Sequence, residues 1–127
     1  MSNATPSPFP ERDNALYLRD MVDFCDTVVA YTKGFDLDGL IGDRMRYDAT
    51  LRNIELIGVA AANVPVSMRE QAPEIAWREI IGTRNRLAHT YLTLDNATLW
   101  LVVTDSIPRL KSQLIALLGR LGRVSGP

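Results

Sequence analysis

The chain is poor in the residues that most chemistry depends on. It has one cysteine and one histidine among 127 residues. A lone Cys25 leaves no partner for an internal disulfide. Set among apolar neighbours in a helical pattern, it reads as a small core residue. A reducing, cytoplasmic setting is the default expectation. No apolar run approaches the roughly 20 residues that span a bilayer, and no secretory leader precedes the first amphipathic segment. Charge is balanced as well, with 14 basic against 15 acidic side chains and a net charge of −1. That excludes the strong basic excess of proteins that coat nucleic acid non-specifically, yet leaves room for one local cleft. No Asp/Glu/His set has metal-ligand spacing, so neither a metal nor another cofactor is expected. Strand alternation is absent too.

What remains is ordinary globular composition, 46% apolar and 23% charged, in a length that suits one domain with one core. The Pro- and Ser-rich stretch 1–11 reads as a flexible arm, 12–121 as the domain and 122–127 as a flexible tail. Asp13 suits an N-cap. Behind it Tyr17, Met21, Phe24, Val28 and Tyr31 recur at helical steps, and Gly34 supplies a stop. Gly39 and Gly42 among Asp36 and Asp38 predict a turn. A second helix runs from about Asp43 to Asn63, with Tyr47, Leu51, Ile54, Ile57 or Gly58, and Ala61 inward, until Pro65 ends it. Residues 67–71 form one short extra turn. Pro73 suits the first position of a third helix ending near Tyr91, with Glu74 beside its positive end. Asp95 caps a fourth, whose stripe is Trp100, Val103, Ile107, Leu110, Leu114 and Leu117, kinked by Pro108. The architecture expected is an all-α, up-and-down bundle of four main helices.

The third helix carries the sole histidine. With each residue turning about 100°, Trp77, Ile80, Ile81, Leu87, Ala88 and Tyr91 fall within about 60° of Arg84. Arg84 therefore sits mid-stripe, while Asn85 and His89 lie about 100° and 140° to one side. A buried arginine needs a partner, because stripping water from its charge is costly. Three arrangements satisfy it: a structural ion pair with Asp48, Glu55 or Glu70, a subunit interface, or an anion cleft. Each residue also has a plain reading. A lone histidine near a helix end is commonly structural, and Tyr91 reads as a core residue whose hydroxyl reaches the surface. Arg109, Lys111, Arg120 and Arg123 read as a solvated helix end.

Arg84, His89 and Tyr91 together spell Arg-x4-His-x-Tyr. On that motif the chain resembles the HepT-like toxins of the HEPN superfamily. The lead-in Glu74-Ile75-Ala76-Trp77-Arg78-Glu79-Ile80-Ile81-Gly82-Thr83-Arg84-Asn85 is similar too. So are Leu56-Ile57-Gly58 with the alanines behind it, Leu99-Trp100-Leu101-Val102-Val103 and Ile107-Pro108-Arg109-Leu110. The resemblance covers about residues 12–119. One departure stands out, since Val59 occupies a place where many relatives have an acidic residue.

The resemblance implies a HEPN-like fold and a metal-independent endoribonuclease, the toxin of a toxin–antitoxin pair. It implies an RNA substrate rather than DNA, and a small nucleotidyltransferase antitoxin that silences the toxin by adding AMP to Tyr91. No membrane partner is implied. The residue types suit the chemistry. His89 would move protons near neutral pH and Arg84 would stabilise the phosphate charge of the transition state, while Asn85 and Arg86 would orient the phosphate. One histidine is too few for both an acid and a base. A two-fold homodimer would supply a second copy and would explain a charge in the apolar stripe. The alternative from another class is a non-catalytic helical module that binds a nucleotidyltransferase or nucleotide.

Overall fold

A computed structural model describes residues 15–82 and 95–124, and among them no strand occurs. The all-α expectation is met. The first long helix, α1 (Leu16–Thr32), packs against α3 (Arg44–Asn63) and against the last helix, α7 (Ile107–Val124). Between α1 and α3 lies the short α2 (Leu37–Gly42), and after α3 comes the single turn α4 (Val66–Arg69). Residues 77–82 are helical and are called α5. Helix α6 (Asn96–Leu101) runs through a π-helical turn, Val102–Ser106, into α7.

Helix α1 shows why periodicity alone misplaces a face. Of the expected stripe Tyr17, Met21, Phe24, Val28 and Tyr31, Met21 and Val28 are buried, but Leu18, Cys25 and Thr32 take the places of the three aromatics. Because α1 is pressed by two helices at once, its smaller side chains take the closest approach. Tyr17 and Phe24 flank the core, and Tyr31 is 36% exposed. The Cys25 thiol is fully buried, and burial, with Asp26 adding to it, pushes its pKa up to about 12. It therefore stays protonated at neutral pH and unreactive as a nucleophile. Gly34, at φ 80°, ends the helix as expected, in a backbone conformation other residues rarely adopt. Asp13, proposed as the cap, lies outside the described residues, as does the 1–11 arm.

The turn expected at residues 35–42 is instead helix α2. Gly39, inside the helix, costs roughly 1 kcal/mol. Two contacts offset this: the Asp36 carboxylate accepts from Gly39 N at 2.7 Å, and Leu40 is wholly buried. A Cβ on Gly39 would stand only 3.0 Å from that carboxylate oxygen, so the cap needs glycine there. Helix α3 starts where the sequence places it, with Asp43 accepting from Arg46 N. It buries Thr50, Ile54, Ile57, Gly58, Ala60 and Ala61, with Tyr47 and Leu51 at the margin of the core.

The third helix begins later than Pro73. Residues 70–71 and 73–74 form turns, and helix resumes only at 77. Ala72 and Ile75 are buried, at 0% and 2% exposure, and the Ala72 carbonyl accepts from Ile75 N at 3.1 Å in a turn rather than a helix. The Trp77 indole then donates to the Ala72 carbonyl at 3.0 Å and closes the irregular segment. Glu74 consequently does not face a helix N-terminus.

Asp95 caps α6 as expected, accepting from Ala97 N and from the Thr98 hydroxyl. The core stripe runs through Leu99, not Trp100, and continues by Val103, Ile107, Leu110, Leu114 and Leu117. Steps of four on either side of Val103 fit the wider π turn. Pro108 is the cause next door: it has no N–H to donate and its ring crowds the carbonyl one turn back, so a bulge just before it relieves both. Helix α7 extends to Val124, beyond residue 121 where the sequence places the domain edge.

Candidate active site

The residues singled out as catalytic and substrate-binding, Arg84, His89, Asn85 and Arg86, together with Tyr91, lie outside the described residues. The scaffold on both sides of them is well defined. On the entry side Trp77 is 9% exposed, Ile80 and Ile81 pack on the core, and Arg78 and Glu79 are exposed. Over α5, then, Trp77, Ile80 and Ile81 form the core-facing side.

The chain entering α5 is pinned to α7. Gln113 Nε2 donates to the Glu74 carbonyl at 3.2 Å. Arg120 donates to the Gln71 carbonyl at 3.3 Å and to the Glu74 carboxylate at 3.1 Å. The backbone N–H of Glu74 and then Arg120 hold its carboxyl below the usual carboxylate range. On the exit side, the Tyr47 hydroxyl donates to Asn96 Oδ1 at 2.9 Å, joining α3 to the first residue of α6.

Beside this entry lies a cavity of about 410 Å³ between α3, α5 and the π turn. Its floor is Ile54, Ile57, Ile80, Val102, Ile107 and Leu110, and its rim carries Glu74, Glu79, Ser106, Arg109 and Gln113. Arg109 is paired with Asp105 at 3.1 Å, so the rim carries little net field of one sign. Sequence reading did not bring these residues together, because they come from three separate stretches. Val59 is half-buried on α3 and is not among the lining residues.

Of the carboxylates named as partners for Arg84, two meet arginines on their own helix. Asp48 accepts from Arg44 at 3.1 Å and Glu55 from Arg52 at 2.9 Å. Three of the four C-terminal cations are also paired: Lys111 with Asp26, Arg109 with Asp105 and Arg120 with Glu74. All three pairs are solvent-exposed and contribute little each. Their arrangement fits the solvated helix end read from the sequence. Among the described residues no group of three His, Cys, Asp or Glu is placed to hold a metal ion, and no helix is long and apolar enough to cross a membrane.

The family model described as "Ribonuclease HepT-like" matches residues 21–117. Among curated proteins, the "Putative RNase MJ1380" of Methanocaldococcus jannaschii is 32% identical over 82% of this chain and 95% of its own length. The "Probable ribonuclease HepT" of Thermococcus cleftensis is 31% identical over 81% of this chain and 94% of its own. No solved structure matches significantly.

Proposed function

From the premise that this chain belongs to the HepT-like ribonuclease family of the HEPN superfamily, we propose that it is a metal-independent endoribonuclease, the toxin of a toxin–antitoxin pair. The observation that carries the reading is the intact Arg84-x4-His89-x-Tyr91 motif in a chain whose relatives bear ribonuclease names.

RNA supplies its own nucleophile. The ribose 2′-hydroxyl loses its proton and attacks the adjacent phosphorus. The bond to the 5′-oxygen breaks, and that oxygen leaves as a hydroxyl after gaining a proton. The products are a 2′,3′-cyclic phosphate and a 5′-hydroxyl end. His89 moves protons in this scheme and Arg84 stabilises the extra negative charge on the phosphate, with Asn85 and Arg86 orienting it. Two chains related by a two-fold axis supply the second imidazole. Sedimentation at micromolar concentration should give a dimer mass, and a monomer there removes this part of the reading.

Silencing falls to Tyr91. A nucleotidyltransferase antitoxin would have the Tyr91 hydroxyl displace pyrophosphate from ATP. The AMP left behind sets a negative phosphate near the arginine that must hold RNA. Induced with that antitoxin, the unaltered chain should permit growth, whereas Tyr91→Phe should arrest growth and degrade RNA as the toxin alone does. Silencing of Tyr91→Phe by the antitoxin would remove Tyr91 as the modified residue. Normal growth on induction without antitoxin, matching His89→Ala, would count against the toxin itself.

A further inference from the structure

The cavity between α3, α5 and the π turn is larger than packing explains. Protein interiors leave few voids wider than a water molecule. This one measures about 410 Å³, inside the range of roughly 300–1,000 Å³ that small-molecule sites occupy. Its floor is aliphatic throughout: Ile54, Ile57, Ile80, Val102, Ile107 and Leu110. Water over such a floor has no side chain beneath it to bond, so an apolar ring gains by displacing it. One wall is the π turn, which brings Val102 and Ser106 to the cavity. Such turns are rare and gather at functional sites.

The rim says what kind of edge that ring must carry. Glu74, Glu79 and Gln113 stand there with Ser106 and Arg109. Glu74 stays ionised, because its own backbone N–H and then Arg120 hold its carboxyl below the usual carboxylate range. Gln113 spends its amide nitrogen on the Glu74 carbonyl at 3.2 Å, so the polar atom it has left to offer is an acceptor. The Arg109 guanidinium is paired with Asp105 at 3.1 Å. Acceptors thus prevail at the rim, and a ligand must answer them with N–H groups. The two glutamates also oppose a phosphate. A planar ring with a neutral, donor-rich edge satisfies both the floor and the rim. Among nucleobases, guanine sets two donors side by side, N1–H and the N2 amine, where one carboxylate can accept from both. Adenine sets an acceptor nitrogen beside its amine, and against a carboxylate that nitrogen goes unpaired.

We infer that this cavity is a base-binding site that takes an unstacked guanine. Only the source of the base rests on the ribonuclease reading: on it, the guanine belongs to single-stranded RNA, whose splayed bases proteins recognise by their edges.

The test is calorimetry of the full chain with nucleosides. Guanosine should bind with a Kd below about 1 mM, and adenosine about tenfold more weakly. Ala76 lines the cavity from an exposed position, so Ala76→Phe fills the space without disturbing the core. That variant should weaken guanosine binding about tenfold or more and keep Tm within a few degrees. Glu79→Gln keeps the shape and loses the charge, and should bring guanosine and adenosine within about threefold of each other. A 2′-O-methyl RNA hexamer cannot be cut through its blocked 2′-oxygen. With one guanine it should bind about tenfold more tightly than its adenine counterpart. No guanosine binding at about 1 mM, equal binding of guanine and adenine in either form, or undiminished binding to Ala76→Phe would overturn the inference. If guanosine binds as stated while the unaltered chain cuts no RNA, the site stands and the ribonuclease reading fails. If RNA is cut and guanosine is ignored, the reverse holds.

Discussion

Purified His89→Ala protein is expected to cut an RNA oligonucleotide about a hundred- to ten-thousand-fold more slowly than the unaltered chain. The expectation rests on scarcity. Near neutral pH few side chains both take and give a proton, and this sequence has one imidazole. The thiol cannot stand in, since Cys25 is fully buried with its pKa pushed up to about 12. The Glu74 carboxylate at the α5 entry is engaged by Arg120. Loss of His89 therefore removes proton transfer without a ready substitute, and the deficit should appear in kcat and in kcat/KM to the same degree. Single-turnover rates at pH 7 decide the matter. A variant within threefold of wild type would show that His89 is not the proton carrier.

Trp77→Ala should lower stability by about 3–5 kcal/mol, the range for deleting a large buried aromatic. The indole is 9% exposed and its N–H satisfies the Ala72 carbonyl at 3.0 Å. Deletion thus leaves a void and removes one of the two donors to the Ala72 carbonyl, the other being Ile75 N at 3.1 Å. Against a total stability of about 5–15 kcal/mol, the loss would consume much of the margin. For a chain of this size it corresponds to a fall in Tm of roughly 10–20 °C. Trp77→Phe separates the two contributions, because it keeps most of the volume and loses only the N–H; about 0.5–1.5 kcal/mol is expected there. Calorimetry of both variants checks the pair. A Trp77→Ala protein melting within 3 °C of wild type would show that the turn before α5 does not depend on the indole.

Much of the fold could be read from residue order because local chemistry and packing agree there. Asp43 and Asp95 both cap where a short acceptor side chain before an apolar periodic run says they should. Where tertiary contacts outvote local signals, the reading slipped. The buried face of α1 is rotated because two helices press on it at once. Helix α2 forms despite two glycines because Asp36 and Leu40 anchor it. The start of α5 moves past Pro73, where the Ala72 carbonyl takes both the Ile75 N–H and the Trp77 indole in a turn. Pro108 announced a disturbance, yet whether it becomes a kink or a π turn depends on neighbours the sequence does not order in space.

The candidate site divides in the same way. Arg84, His89 and Tyr91 were singled out by their match to the motif of a known family, and they lie outside the described residues. The Tyr47–Asn96 bond, the Arg120–Glu74 pair and the cavity rim were not legible, since each joins residues far apart in the chain.

The central claim is that Arg84 and His89 cleave RNA through its own 2′-hydroxyl. It is tested most directly by offering the purified chain matched oligonucleotides in excess chelator, one all-RNA and one with a single 2′-deoxy sugar at the cut site. The account predicts undiminished cleavage of the first to a 2′,3′-cyclic phosphate, and an intact second strand. Cleavage of the deoxy-substituted strand at that site, or a requirement for added divalent metal, would contradict it.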